Sequence, residues 1–160
     1  MHGVSPSPSQ PSQGPIAVVL GASGYMGSNL APALAAHGWH VRAVARNAAV
    51  LEAREWQGVE CRSADVLQPE TLGPVLEGAD VVFYLVHMMW TGGDFVPVER
   101  RAAENARKAC EAAGVRRIVY LGGIMPKEKR SRHMEGRAVV GDALREGSIQ
   151  VIELQAAMIV

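Results

Sequence analysis

A chain of 160 residues in which 48% of the side chains are hydrophobic can build one domain with a real core, but not two full ones. Sixteen basic residues balance sixteen acidic ones, so composition gives no pull toward nucleic acid or an anionic membrane. No apolar run approaches the length of a transmembrane span, and His2, His37, His40, His87 and His133 show no metal-ligand spacing with Asp, Glu or Cys.

Residues 1–14, rich in Ser, Pro, Gln and Gly, lack the apolar stretch of a secretory signal and read as a disordered tail ahead of a domain over 15–160. Ile16–Leu20 then reads as a strand and Tyr25–His37 as a helix closed by Gly38. Trp39–Ala45 alternates apolar and polar residues as a second strand, Asn47–Glu55 reads as a short helix, and Val59–Arg62 as a third strand. A short helix over Glu70–Glu77 leads into Val81–Val86, whose continuous apolar run suits a central parallel strand buried on both faces. Asp94 is the expected N-cap of a long helix to Ala113, with Pro97 in its first turn and Gly114 at its end. Arg117–Leu121 is a fifth strand, Met134–Arg145 a further helix, and Gln150–Leu154 a sixth strand that could run on toward Val160. This alternation predicts an α/β fold, a doubly wound, mainly parallel sheet with helices on both faces. Cys61 and Cys110 have neither metal-type spacing nor enough company for a disulfide framework. They read as core or half-buried thiols of a reducing cytoplasm.

The most informative segment lies at the first strand-to-helix turn, where Gly21, Gly24 and Gly27 stand in Gly-Ala-Ser-Gly-Tyr-Met-Gly. The first glycine allows a sharp turn, the second lets the backbone approach a pyrophosphate, and the third lets the helix pack against the sheet. Free N–H groups of the following helix would face the anion. Glycines also serve such turns for geometry alone; the β-branched run before them and the amphipathic stretch after them favour a bound dinucleotide. No Lys-Ser or Lys-Thr follows, which excludes a P-loop triphosphatase.

Open parallel sheets hold ligands at the carboxyl ends of their strands. Beyond the second strand stands Arg46, with Arg42 within it, where a carboxylate would grip the free 2′-hydroxyl of NAD. A guanidinium there favours the 2′-phosphate of NADP, with NAD still possible; the bland alternative is a solvated loop charge. Asp65, beside Val66, can accept from the adenine amino group or cap the helix that begins a few residues later, and the residues leave both open. Leu85, Val86 and His87 would lie under the cofactor's ribose and nicotinamide, with Met88, Met89 and Trp90 as an apolar lip. His87, with an ordinary pKa near neutral, is a candidate proton carrier or a histidine that only hydrogen-bonds a backbone group. The stretch 127–132 reads as a solvated basic loop or a movable rim over the phosphates.

Gly-Ala-Ser-Gly-Tyr-Met-Gly at 21–27, Ala-Asp-Val-Leu at 64–67, Tyr-Leu-Val-His-Met-Met at 84–89 and Arg-Arg-Ile-Val-Tyr-Leu-Gly-Gly at 116–123 resemble the atypical short-chain dehydrogenase/reductases, the NmrA-like group among them. The resemblance implies a Rossmann fold with Gly21, Ser23, Gly24, Tyr25, Met26 and Gly27 around the pyrophosphate. It also implies Arg46 at the 2′-phosphate, Asp65 and Val66 at the adenine, and Leu85, Val86 and His87 beside the nicotinamide ribose. The family's catalytic Ser is absent, since Gly122 and Gly123 stand at its place, and its Tyr and Lys correspond to His133 and Arg137. His133 is then the candidate for proton transfer, and Arg137 for holding the ribose or an anion, although an Arg fork does not have the geometry of an ammonium. The implied function is NADP-dependent hydride transfer to or from a small-molecule substrate. A non-catalytic dinucleotide-binding module, sensing or structural, is the alternative. Strands that run to Val160 without a cap read as a C-terminally incomplete domain, or as one completed by a homodimer partner or a separate cap.

Overall fold

A computed structural model describes residues 14–88, 93–124 and 131–157. The expectations placed on 1–13, on Met89 and Trp90, on 127–130 and on 158–160 lie outside the described residues. Strand and helix alternate throughout: β1 (Ile16–Leu20), α1 (Tyr25–Ala36), β2 (His40–Ala45), α2 (Ala49–Glu52), β3 (Val59–Ser63), α3 (Leu72–Leu76), β4 (Val81–Tyr84), α4 (Val96–Ala112), β5 (Arg117–Gly123), α5 (Arg132–Arg145) and β6 (Gln150–Ala156). The six strands form one sheet in the order β3-β2-β1-β4-β5-β6, and every pair is parallel. From β1 the chain winds outward to β3, returns to lay β4 on the other side of β1, and winds outward again. The order therefore reverses between β1 and β4, where the strand ends leave a crevice.

Parallel pairing explains the near-continuous burial of β1, whose Ala17, Val18, Val19 and Leu20 are all buried. On one face Val18, Leu20, Val82, Tyr84, Ile118 and Tyr120 pack against the small and apolar residues of α3, α4 and α5. On the other, Val19, Val41 and Ala43 meet Ala31 of α1 and Leu51 of α2. This second layer is narrower. One register row runs Cys61, Ala43, Val19, Phe83, Val119, Ile152 across the sheet; its β1 and β2 members are buried, while Phe83, Val119 and Ile152 are only half-buried. Leu154 of β6 on this face is 54% exposed. Two-sided burial of Val81–Val86 is thus not met: Val82 and Tyr84 are buried, Val81 and Phe83 are not, because α1 and α2 do not extend over this half of the sheet.

Several boundaries move for local reasons. Asp94 is not the N-cap of α4; Phe95 is, and the Asp94 carboxylate accepts from the Val96 amide at 3.3 Å and pairs with Arg132. α5 starts two residues before Met134 because the Ser131 hydroxyl caps the Met134 amide at 3.3 Å. The helix expected over Asn47–Glu55 shrinks to four residues, with Asn47 Oδ1 accepting from the Ala49 amide at 3.0 Å. No helix among the described residues is long and apolar enough to cross a membrane.

Candidate functional site

The turn leaving β1 is fixed by backbone geometry. Gly21 has φ +86°, and a Cβ there would lie 2.7 Å from the Leu85 carbonyl oxygen, so both the left-handed conformation and the close approach of β4 require glycine. The Gly21 and Ala22 amides both donate to the Val44 carbonyl, at 3.1 and 3.0 Å. This ties the turn to β2. At Gly27 a Cβ would stand 2.6 Å from the Ala22 Cα and 2.6 Å from the Gly21 oxygen, and its absence lets α1 lie against the turn.

Gly24 differs from both. It is the N-cap of α1, and a Cβ there would meet only the Gly21 oxygen, at 3.5 Å. No side chain caps this helix, and no acid stands in its first turn. The first backbone bond of α1 is Ser28 N–H to the Gly24 carbonyl, at 2.9 Å. The amides of Tyr25, Met26 and Gly27, at the positive end of a 12-residue helix, thus have no acceptor within the helix. That is the arrangement an anion needs.

Two cavities meet over this turn and share Gly21, Gly24, Tyr25, Leu85 and His87. One, of about 600 Å³, lies over the ends of β1, β2 and β3 and is lined by Ser23, Arg46, Asp65, Val66 and Val86 as well. The other, of about 500 Å³, extends toward β5, α5 and β6, where Met26 and Gly27 are joined by Leu121, His133 and Arg137. Every residue assigned to the cofactor from sequence, and both candidate catalytic residues, thus line one continuous cleft. Its position is the one expected, at the carboxyl ends of the strands.

The polar groups within it are less uniform than the sequence suggests. Arg46 is exposed at the mouth of the first cavity. Arg42 is engaged elsewhere. Its Nη1 donates to the carbonyls of Val75 and Glu77, at 3.2 and 2.6 Å, which holds it beneath α3 and away from the cleft. Asp65 lines the cleft but does not cap the helix that follows: its Oδ1 accepts from the Leu67 amide at 2.9 Å, and α3 begins after Thr71 without a side-chain cap. His87 departs from the expectation of a near-neutral proton carrier. Burial, with Arg137 and His133 close by, lowers its pKa to about 4, so it is a neutral hydrogen-bonding group at physiological pH. Gly122 and Gly123 lie within β5, and a Cβ on Gly122 would fall 2.2 Å from Glu153 Oε1. A Ser at Gly122 would thus require the Glu153 side chain to move.

Two supporting residues escape a reading of the sequence. Glu99 of α4 is 3% exposed; its Oε1 accepts from the Met88 amide at 3.1 Å, and its Oε2 lies 2.2 Å from where a Cβ on Gly136 of α5 would stand. It thereby ties the segment after β4 to the helix that carries His133 and Arg137. A glycine in the middle of α5, costly beside Ala, was the available signal. Arg54 packs over Trp56, 5.4 Å from the ring centroid, and donates to the Ser23 carbonyl at 3.3 Å, bracing the glycine turn from outside.

Known proteins match this architecture. The model of a family described as NAD(P)H-binding matches residues 21–148. Cinnamoyl-CoA reductase 1 of Oryza sativa subsp. japonica is 34% identical over 110 residues, which make up 64% of this chain and 32% of the relative. The Citrobacter sp. triphenylmethane reductase, solved in complex with NADP(H), superposes with a TM-score of 0.74 at 26% identity, covering 90% of this chain and 50% of that one. A mutant NmrA shares the fold, with a TM-score of 0.72 at 20% identity over 90% of this chain and 45% of that one. The chain therefore spans about half the length of these structures and about a third of the plant reductase.

Proposed function

This chain belongs to the NAD(P)H-binding family, as the resemblance to the atypical short-chain dehydrogenase/reductases implied, and we propose that residues 15–160 hold NADP(H) in an oxidoreductase acting on a small-molecule substrate. The observation that carries the proposal is the bare N-terminus of α1: three amides without helical acceptors and a glycine whose missing side chain leaves open space, at the junction of two cavities. In this reading Gly21, Ser23, Gly24, Tyr25, Met26 and Gly27 take the pyrophosphate. Arg46 meets the 2′-phosphate, which favours NADP over NAD. Asp65 and Val66 face the adenine, and Leu85, Val86 and His87 form the floor beneath the nicotinamide ribose.

When bound, the dinucleotide supplies or accepts a hydride at its nicotinamide ring. The chain's own part is to orient the reactants and manage a proton. His133, in the first turn of α5 and lining the cleft, is the candidate to exchange that proton with a carbonyl, hydroxyl or activated alkene. Arg137, one turn further on, supplies positive charge. The non-catalytic alternative draws support from Gly122 and Gly123, which bring no hydroxyl to the place of the family's Ser. We further place the protein in a reducing cytoplasm, which suits a buried Cys110 whose thiol is pushed up to about 12 by burial, and assign the exposed face around Leu154 to a homodimer partner or a separate cap.

Calorimetric titration of the folded chain with NADPH, NADP, NADH and NAD tests the proposal. NADPH and NADP should bind more tightly than NADH and NAD; heat from none of the four would refute it. If turnover of a carbonyl substrate is then found, His133→Ala should abolish it while cofactor binding persists. Turnover that survives in that variant would assign the proton to another group, and cofactor binding without turnover of any substrate would favour the binding-module reading.

A further inference from the structure

A guanidinium drawn into a protein needs acceptors, because an uncompensated buried charge is costly. Two arginines of this chain obey that rule. Arg42, with its side chain 16% exposed, donates to two carbonyls, and Arg107, 13% exposed, pairs through Nη1 with Glu111 at 3.0 Å although its Nε is buried without a partner. Arg137 has no such compensation. It lines the second cavity, is only partly exposed, and its Nε is likewise buried without a partner. Among the described residues its side chain makes no hydrogen bond or ion pair.

Leu85, Leu121, Ile124, Met134 and Ala156 give this end of the cleft an apolar wall, its nitrogen-bearing side chains are His87, His133 and Arg137, and no carboxylate is among its described lining residues. The cofactor does not supply the missing anion in the reading given above. Its pyrophosphate goes to the amides of α1 and its 2′-phosphate to Arg46, and the nicotinamide ring itself carries no negative charge. The nicotinamide ribose can offer Arg137 hydroxyl acceptors but no negative charge, so an anion at this end has to come from a second ligand.

We infer that the α5 end of the cleft takes a substrate with an apolar body and one carboxylate, the body against the Leu121, Ile124 and Met134 wall and the carboxylate on the Arg137 guanidinium. The inference rests on the reading of the cleft as a dinucleotide site. It also accounts for Arg in place of a Lys at this position, since the planar fork matches a carboxylate in two parallel hydrogen bonds, whereas an ammonium offers a point charge.

The test is calorimetric titration of the chain saturated with NADP, using octanoate and octanamide as probes of equal length that differ in head-group charge. Octanoate should bind at least tenfold more tightly than octanamide. Arg137→Met should reduce octanoate to the octanamide level, and Arg137→Lys should retain part of the preference. NADP affinity, measured in each variant, should fall by less than octanoate affinity does. Equal binding of the two probes, or of neither, to the NADP-loaded chain would overturn the inference and leave the cofactor site standing. So would an equal fall of NADP and octanoate affinity in Arg137→Met, since Arg137 would then serve the cofactor. Failure of NADP to bind the unaltered chain would instead refute the proposed function.

Discussion

Gly24 and Gly27 lie three residues apart in one turn, and replacing each with Ala should have opposite consequences. At Gly27 the added Cβ falls 2.6 Å from two backbone atoms, the Ala22 Cα and the Gly21 oxygen, and no side-chain rotation can relieve that contact. Helix α1 must move off the turn, at a cost of about 1–3 kcal/mol, or a fall of roughly 5 °C in melting temperature for a domain of this size. At Gly24 the backbone has φ −73° and ψ 170°, which any residue adopts, and the new Cβ makes one ordinary contact at 3.5 Å. Ala is a poorer N-cap than Gly but restricts the unfolded chain more, so the net change in stability should stay within about 1 kcal/mol. The methyl group nevertheless projects into space assigned to the pyrophosphate, and NADPH affinity should fall at least tenfold, or about 1.4 kcal/mol. Urea unfolding of both variants without cofactor, followed by calorimetric titration with NADPH, measures both quantities. If Gly24→Ala proves as destabilising as Gly27→Ala, or binds NADPH as the unaltered chain does, the division between a packing glycine and a ligand glycine is wrong.

Arg46→Asp should weaken NADPH far more than NADH, because it sets a carboxylate against the 2′-phosphate; equal losses in parallel titrations would show that Arg46 reads something else. His87 is pushed down to about 4 in the native state by burial, with Arg137 and His133 adding to the effect, so below its ordinary pKa the unfolded chain binds the extra proton more readily. Stability linked to His87 is therefore complete above about pH 6.5 and is lost as the pH falls toward 4, with about 2 kcal/mol gone by pH 5. Urea unfolding at pH 8 and pH 5 should show His87→Asn losing less between the two than the unaltered chain, and identical losses would exclude His87 as the source. Glu99→Ala removes the acceptor of the buried Met88 amide and should cost about 1–3 kcal/mol. Glu99→Gln keeps an acceptor and should recover most of that in the same denaturation assay; a Gln variant as unstable as the Ala variant would mean that the charge itself is required.

These experiments probe two kinds of information that the sequence carries unequally. The pyrophosphate cradle was legible because it is made of backbone from one contiguous segment: a β-branched strand, three glycines placed where a Cβ would clash or fill a space, and an amphipathic helix. Arg46, Asp65 and His87 could be assigned to the same cleft because a parallel sheet brings all its strand ends to one edge, so a position just past a strand is already a position in space. Side-chain direction and protonation follow no such rule. Arg42 sits in the same strand as Val44 yet is taken out of the site by carbonyls 33 and 35 residues away, and Glu99 acts on Met88 and Gly136 through contacts that exist only after folding. His87 illustrates the consequence most clearly. Its ordinary pKa nominates it as a proton carrier, but burial beside Arg137 and His133 keeps it neutral. The chemistry of that end then falls to His133, and its fixed positive charge to Arg137, two residues on a helix that shares no strand or turn with the glycine motif.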